Sequence, residues 1–378
     1  MDGAEKSRLL KRWAVEEGFH RAGVARLGPA QHGAAFVQWI ERGDHARMGY
    51  LERRHEERLD PRRLLPGGRS ALCVALHYAP GRTTEPEGDL WPGVARYARG
   101  DDYHDLMRRR LEAVRSRIER AFPGTASRAY VDTGPVLERD LAAAAGLGAV
   151  GKNTNLLHAE AGSWFLLGEL LLDLELAPDP PVADLCGRCT RCLEACPTGA
   201  LPEPYRLDSR RCISYWTIEH RGPVPATVRP LLGGWVFGCD LCQEACPLND
   251  APAAASDERF ELPERRAALD LVGLLRLRRE EYLDLFRGSA MKRARLEGLR
   301  RNAAVAMGNR GDRRYVGPLA GALADEDPTL RGHAAWALGE IGGAEAAAAL
   351  EAAAPAESDP EARSEIHSAL GRLASAGG

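Results

Sequence analysis

Lysine is nearly absent from this chain. Only Lys6, Lys11, Lys152 and Lys292 interrupt a basic complement that is otherwise arginine, the better fork for planar anions such as phosphate. Excess positive charge is missing too. The net charge is −3, which excludes a globally basic nucleic-acid binder and leaves only a local basic face for that role. The N-terminus, MDGAEKSRLLKRWAVEEGF, reads as an amphipathic helix, with no apolar signal core and no twin-arginine export signal. Long apolar runs are lacking. The greasiest stretch, Trp164 to Leu176, is broken by Gly168, Glu169, Asp173 and Glu175 and is unsuited to a bilayer span. These absences predict a cytoplasmic protein, and in that compartment clustered cysteines point to metal or redox chemistry rather than disulfides.

The first 180 residues alternate strand-like and helical pieces. Ala71–Tyr78 and Arg128–Val131 read as buried strands, Asp105–Ala121 and Val136–Ala145 as helices, and Trp164–Leu176 as a further strand. The predicted class is an α/β domain over 1–180. A proline-rich break (APDPPVA) follows, and eight of the nine cysteines fall in 181–255. The cysteine-free remainder, 256–378, reads as helical with an internal repeat. Asn302–Gly308 (NAAVAMG) matches His333–Gly339 (HAAWALG), and Arg363–Gly371 is a weaker third copy. Small and apolar residues at this spacing resemble HEAT-like helical pairs, which bury their faces only by stacking.

Cys186-x2-Cys189-x2-Cys192-x3-Cys196-Pro197 has the spacing of a bacterial ferredoxin run, in which three thiolates wrap one [4Fe–4S] cluster and the fourth is carried to another. Cys212, then Cys239-x2-Cys242-x3-Cys246-Pro247, is a second copy stretched by a long insertion. The expected exchange gives cluster 1 Cys186, Cys189, Cys192 and Cys246, and cluster 2 Cys196, Cys212, Cys239 and Cys242. Zinc fits worse, since it does not call for the Cys-Pro endings. Cys73, inside an apolar strand, reads as a small core residue. Two clusters in a ferredoxin-like module make a short wire, with an electron donor the sequence does not identify.

Gly146-x-Gly148-x-x-Gly151 fits the dinucleotide pattern, but it follows a predicted helix where the pattern requires a strand. The adjoining Gly151-Lys152 resembles the end of a P-loop, yet Asn153 stands where a Ser or Thr is needed. A tight turn and a backbone-exposing loop over a bulky ligand both remain open for this stretch.

Several stretches in order, RYARGDDYH (96–104), VDTGPVLE (131–138), GKNTNLL (151–157), GSWFLLGEL (162–170) and CISYWTIE (212–219), resemble the epoxyqueuosine reductase family. With the cysteines and the repeats, the resemblance covers nearly the whole chain. Thr133-Gly134 replaces a commoner Ser-Ala, and Trp216 a commoner Leu. The resemblance implies a cobalamin-binding catalytic domain over 1–180, two [4Fe–4S] clusters, and reduction of epoxyqueuosine to queuosine at the wobble position of tRNA anticodons. Asp102-Tyr103-His104 begins like a D-x-H-x-x-G cobalamin signature but lacks its glycine.

By the same resemblance Asp132 is the general acid, where an Asp capping the next helix is the plainer alternative. Arg58, Tyr97, Asp132, Lys152, Asn153, Thr154, Ser214, Tyr215 and Asp240 are the implied cobalamin contacts. For tRNA, nine basic residues face four acidic ones between Arg276 and Arg301. Lys292, Arg293, Arg295, Arg300 and Arg301 are the candidate phosphate contacts. The expected state is a monomer.

Overall fold

A computed structural model describes residues 1–78, 88–250 and 257–376. The predicted boundary between residues 255 and 256 lies outside the described residues. Two compact units interleave along the chain. Unit 1 comprises Met1–Thr83, Asp102–Arg210 and Asp240–Phe260; unit 2 comprises Thr84–Asp101, Arg211–Cys239 and Glu261–Gly378. Among the described residues no helix is long and apolar enough to cross a membrane.

Unit 1 is built on a four-stranded sheet of β1 (Arg21–Arg26), β2 (Ser70–His77), β3 (Ser127–Tyr130) and β6 (Phe165–Leu172), in the order β1-β2-β6-β3. Every pairing is antiparallel, so the predicted α/β alternation is realised without parallel crossovers. All eight residues of β2 are buried, because helices cover both faces of the sheet. One cover is α1 (Tyr103–Ala121), whose buried stripe of Met107, Leu111, Val114 and Ile118 recurs at helical spacing. Gly168 of β6 lets Met107 and Leu111 approach; a Cβ there would sit 3.2 Å from each. The other face packs Ala71, Cys73, Ala75 and Leu171 against Leu141, Ala142 and Ala145 at α2 (Glu138–Ala144). Cys73 is thus the small core residue expected.

The glycine-rich stretch after α2 opens no helix. It leads into a hairpin of β4 (Ala149–Val150) and β5 (Leu156–Leu157), with Lys152, Asn153 and Thr154 in the turn. This accounts for the failed dinucleotide context.

In unit 2, α3 (Arg295–Arg310), α4 (Pro328–Ile341) and α5 (Pro360–Ala376) carry the three repeat copies. Close helix packing explains the repeated glycine. A Cβ on Gly308 would lie 2.7 Å from the Trp336 ring and 2.9 Å from Ala337, and one on Gly339 would lie 2.8 Å from Ala369. The residue six positions before each glycine is polar and holds the 213–238 insertion. Asn302 Nδ2 donates to the carbonyls of Thr217 (2.9 Å) and Val236 (2.8 Å). His333 Nε2 accepts the Val224 N–H at 3.1 Å, and Glu365 accepts from Arg229 at 2.8 Å. The stretch between Cys212 and Cys239 is therefore seated on the repeats.

Candidate active site and cluster loops

Asp132 lies just beyond the end of β3, in the left-handed region at φ 55°, where a non-glycine backbone needs outside support. Its backbone N–H donates to Glu138 Oε1 in a short hydrogen bond. Arg58, nearly buried, donates from Nη1 to the carbonyls of Gly134 (3.2 Å) and Val136 (3.5 Å) and so braces the same loop. Arg58 Nε has no partner among the described residues. The surface ion pair that is the usual fate of such an arginine is not what the fold makes of it.

The carboxylate of Asp132 faces the start of α1. His104 Nε2 is 3.1 Å from Asp132 Oδ2, and His104 Nδ1 is 2.7 Å from Asp102 Oδ1. Asp102 also caps α1 by accepting the His104 N–H at 3.0 Å. Burial would lower the imidazole pKa, but the hydrogen bonds to Asp102 and Asp132 and their charges outweigh it and raise His104 to about 9. Below Asp132, burial and then the Asp132 charge push Glu138 up to about 8. Glu169 of β6, 1 % exposed and opposite Tyr130 in the sheet, is raised well above the carboxylate range by burial, Glu138 and Asp132. The sequence reading missed His104, Asp102, Glu138 and Glu169. An Asp two residues before a His at a helix start was the available signal for the first pair.

None of the nine cysteines is in a disulfide. Cys186, Cys189, Cys192, Cys196, Cys242 and Cys246 belong to unit 1, and Cys212 and Cys239 to unit 2. Burial first, and then the neighbouring Cys186 and Cys246, raise the Cys192 thiol; Cys246 is raised by burial and by Cys186 and Cys189. The four thiols assigned to cluster 1 therefore sense one another. Among the described residues no three of His, Cys, Asp and Glu converge on a point as a single ion requires. Backbone donors also reach sulfur: Lys152 N to Cys186 Sγ (3.4 Å) and Ala200 N to Cys196 Sγ (3.3 Å). Two short helical turns, Arg191–Glu194 and Leu241–Glu244, carry the paired segments. In each, two amides donate to one carbonyl, that of Thr190 or Asp240. The segment after Cys246 is tied to the start of β6 by Asn249, which accepts the Ser163 N–H at 2.7 Å.

The implied cofactor contacts divide between the units. Arg58, Asp132, Lys152, Asn153, Thr154 and Asp240 lie in unit 1, and Tyr97, Ser214 and Tyr215 in unit 2. Within unit 1 the hairpin turn and the Asp132 loop are joined, because Arg139 donates to the Thr154 carbonyl at 2.5 Å and flanks Glu138. Asn153 is buried and donates to the Cys242 carbonyl at 3.3 Å. Asp240 is also buried. The Lys152 ammonium donates to the carbonyls of Gly187 (2.7 Å) and Cys189 (2.9 Å). In unit 2, Tyr97 packs against Phe237, and Tyr215 is buried beside Trp216.

Of the basic run, Lys292, Arg293 and Arg295 are exposed, and Arg293 also forks Glu219 at 2.9 Å. Arg300 is partly covered and pairs with Asp325. Arg301 requires a correction. It is 2 % exposed and donates to the carbonyls of Trp216 (2.8 Å) and Gly222 (2.7 Å), so it is a packing residue and not a phosphate contact.

A double ferredoxin-type cysteine set, a braced carboxylate at a strand end and stacked helical repeats define an iron–sulfur oxidoreductase with an appended repeat region. Family models agree in parts: a 4Fe-4S double cluster binding domain over 185–249, epoxyqueuosine reductase QueG over 58–133, and HEAT repeats over 286–371. Epoxyqueuosine reductase of Pseudomonas aeruginosa is 41% identical over 312 residues, spanning 82% of this chain and 86% of the relative. That of Escherichia coli K12 is 37% identical over 343 residues, 90% of each. A crystal structure of epoxyqueuosine reductase with an epoxyqueuosine-modified tRNA-Tyr stem loop superposes with a TM-score of 0.91 at 31% identity, covering 98% of this chain and 99% of that one. A Bacillus subtilis epoxyqueuosine reductase with its catalytic aspartate loop swung out of the active site matches at 0.90, with 29% identity and coverage of 98% and 99%. The chain belongs to the epoxyqueuosine reductase family.

Proposed function

We propose that this enzyme reduces epoxyqueuosine to queuosine at the wobble position of tRNA anticodons, the final step in making queuosine, using cobalamin and two [4Fe–4S] clusters. The observation that carries the reading is Asp132, held in a left-handed backbone at a strand end with its carboxylate turned to His104. The Bacillus subtilis relative has a catalytic aspartate on a loop that can swing out of its active site, and Asp132 occupies a loop braced from two sides.

Removing an epoxide oxygen as water takes two electrons and two protons. Cobalamin, when bound, supplies low-potential electrons at the reacting carbon–oxygen bonds. The residues present suit it: Arg58 keeps a buried donor without a partner among the described residues, and the turn carrying Asn153 and Thr154 adjoins the Asp132 loop. Arg58, Asp132, Lys152, Asn153, Thr154 and Asp240, with Tyr97, Ser214 and Tyr215, would hold the corrinoid. Asp132 protonates the leaving oxygen. Cluster 1 is assigned Cys186, Cys189, Cys192 and Cys246, and cluster 2 Cys196, Cys212, Cys239 and Cys242. The tRNA backbone lies on Lys292, Arg293 and Arg295, with Arg300 at the margin. The enzyme works in the cytoplasm as a monomer and draws on a separate low-potential donor.

The test is anaerobic reconstitution with iron, sulfide and cobalamin, followed by reductant and epoxyqueuosine-containing tRNA, with nucleosides read by mass spectrometry. Queuosine should form only with cobalamin, and Asp132→Asn should cut the rate by about 100-fold or more, the usual range for a lost general acid. Clusters without cobalamin binding would favour an electron-transfer partner. Bound cobalamin without tRNA turnover would favour a small-molecule reductase.

A further inference from the structure

Reduction of the epoxide consumes two protons, and one carboxyl holds one. The acid must therefore be reloaded within each turnover. We propose that His104, held in register by Asp102, is the relay residue that returns a proton to Asp132; this rests on the reading of Asp132 as the acid.

The argument is geometric. The charged groups about Asp132 come from several elements, and Glu169 of β6, whose carboxyl feels the Asp132 charge, has no hydrogen bond to it among the described residues. From the start of α1 come Asp102, His104 and Arg108, whose Nη2 donates to Thr133 Oγ1 at 3.1 Å. From the β3–α2 loop and the start of α2 come Glu138 and Arg139, and Arg58 lies behind them. Glu138 accepts the backbone N–H of Asp132, so the oxygen it directs there is an acceptor, not a proton source. Arginines do not release protons at working pH. His104 alone among these combines a labile proton with aim: Nε2 stands 3.1 Å from Asp132 Oδ2 while Nδ1 is fixed at 2.7 Å from Asp102 Oδ1. Tyr103 stacks on the imidazole at 4.0 Å between centroids and limits its rotation. The side chain keeps 19% of its exposure, so solvent can restore the proton.

In the step itself the Nε2–H bond of the imidazolium breaks and an O–H bond forms on Asp132. The neutral imidazole keeps its Nδ1–H on Asp102. Asp132 then passes the proton to the departing oxygen, which leaves as water with electrons from the reductase's own supply. His104 regains a proton from solvent. The raised basicity of His104 keeps it charged at neutral pH, so the proton rests on the imidazole between turnovers.

Two measurements test this. In nitrogen-15 histidine NMR of the purified chain, His104 should titrate near pH 9 and fall toward the ordinary value of about 6.5 in Asp102→Asn, which keeps the helix cap. In the reconstituted holoenzyme, His104→Gln should lower kcat about ten- to a hundredfold with KM for tRNA unchanged. It should also remove the alkaline limb of the rate profile and be partly rescued by added imidazole. Ordinary titration of His104, or a His104→Gln enzyme with wild-type kcat and pH profile, would overturn the proposal. If Asp132→Asn is inactive while His104→Gln is fully active, the relay alone fails. If Asp132→Asn is fully active, the reading of the acid fails with it.

Discussion

Arg301 donates to the main-chain carbonyl of Trp216 at 2.8 Å, and with that bond one buried guanidinium fastens a repeat helix to the segment that follows Cys212. Nη1 adds the Gly222 carbonyl, and Asn302 Oδ1 accepts from Nε and Nη2 at 3.0 and 2.8 Å. Burial pulls its pKa down to about 10, still fully charged at neutrality. Arg301→Ala would strip several buried acceptors at once and leave a void. The expected cost is about 3 kcal/mol or more of stability, read by urea denaturation. Lys292→Ala and Arg295→Ala should leave stability within about 0.5 kcal/mol. They should weaken tRNA binding and flatten its salt dependence by roughly one phosphate contact each. Equal behaviour of the buried and exposed variants would contradict this division.

Lys152 carries a different expectation. Its ammonium lies on the carbonyls of Gly187 and Cys189, and its backbone N–H reaches Cys186 Sγ. A positive charge there favours the more negative, reduced state of a cluster on those thiolates. Lys152→Met should therefore shift the midpoint potential of one cluster to more negative values and leave the other unchanged. Redox titration followed by electron paramagnetic resonance reads this directly. An unchanged potential in a fully loaded protein would show that the lysine serves only the fold.

The repeat glycines give a sign that propensity alone gets wrong. In an exposed helix, Gly→Ala stabilises by about 1 kcal/mol. At Gly308 the new Cβ would lie 2.7 Å from the Trp336 ring and 2.9 Å from Ala337 Cβ, and overpacking of that kind costs about 1–3 kcal/mol. Gly308→Ala should therefore lower the melting temperature. A rise would mean that α3 and α4 separate easily.

The repeats, the central strands and the cysteine pattern could be read from sequence because each is a periodic signal in neighbouring residues. Nothing local distinguishes Arg300 from Arg301, however. They stand about 100° apart around α3, and only the packing of that helix decides which one is covered. The partners of Lys152 are hidden for a related reason. A rare lysine on a glycine turn suggests an anion, and the carbonyls that claim it lie more than thirty residues away. His104 was obscured by comparison with a signature it does not complete, while its actual partner, Asp132, stands 28 positions on.

The carboxyls beneath Asp132 set a pH dependence of stability. Glu169 is 1 % exposed, its Oε1 has no hydrogen-bond partner among the described residues, and burial with Glu138 and Asp132 holds its pKa well above the carboxylate range. Glu138 is raised to about 8 and His104 to about 9. In each case the folded chain binds a proton more tightly than the unfolded one, so stability falls as pH rises through the interval between the two values. For Glu138 that interval runs from about 4.5 to about 8, and for His104 from about 6.5 to about 9. For Glu169 it begins at 4.5 and extends well above. The melting temperature should therefore decline steadily from about pH 6 to about pH 9. Glu169→Gln, which keeps the shape and removes the titration, should flatten that decline and leave the variant the more stable protein at the alkaline end. A variant whose melting temperature falls as steeply as the wild type would mean that Glu169 is ionised in the folded chain, and that the charge beneath Asp132 is balanced by another group.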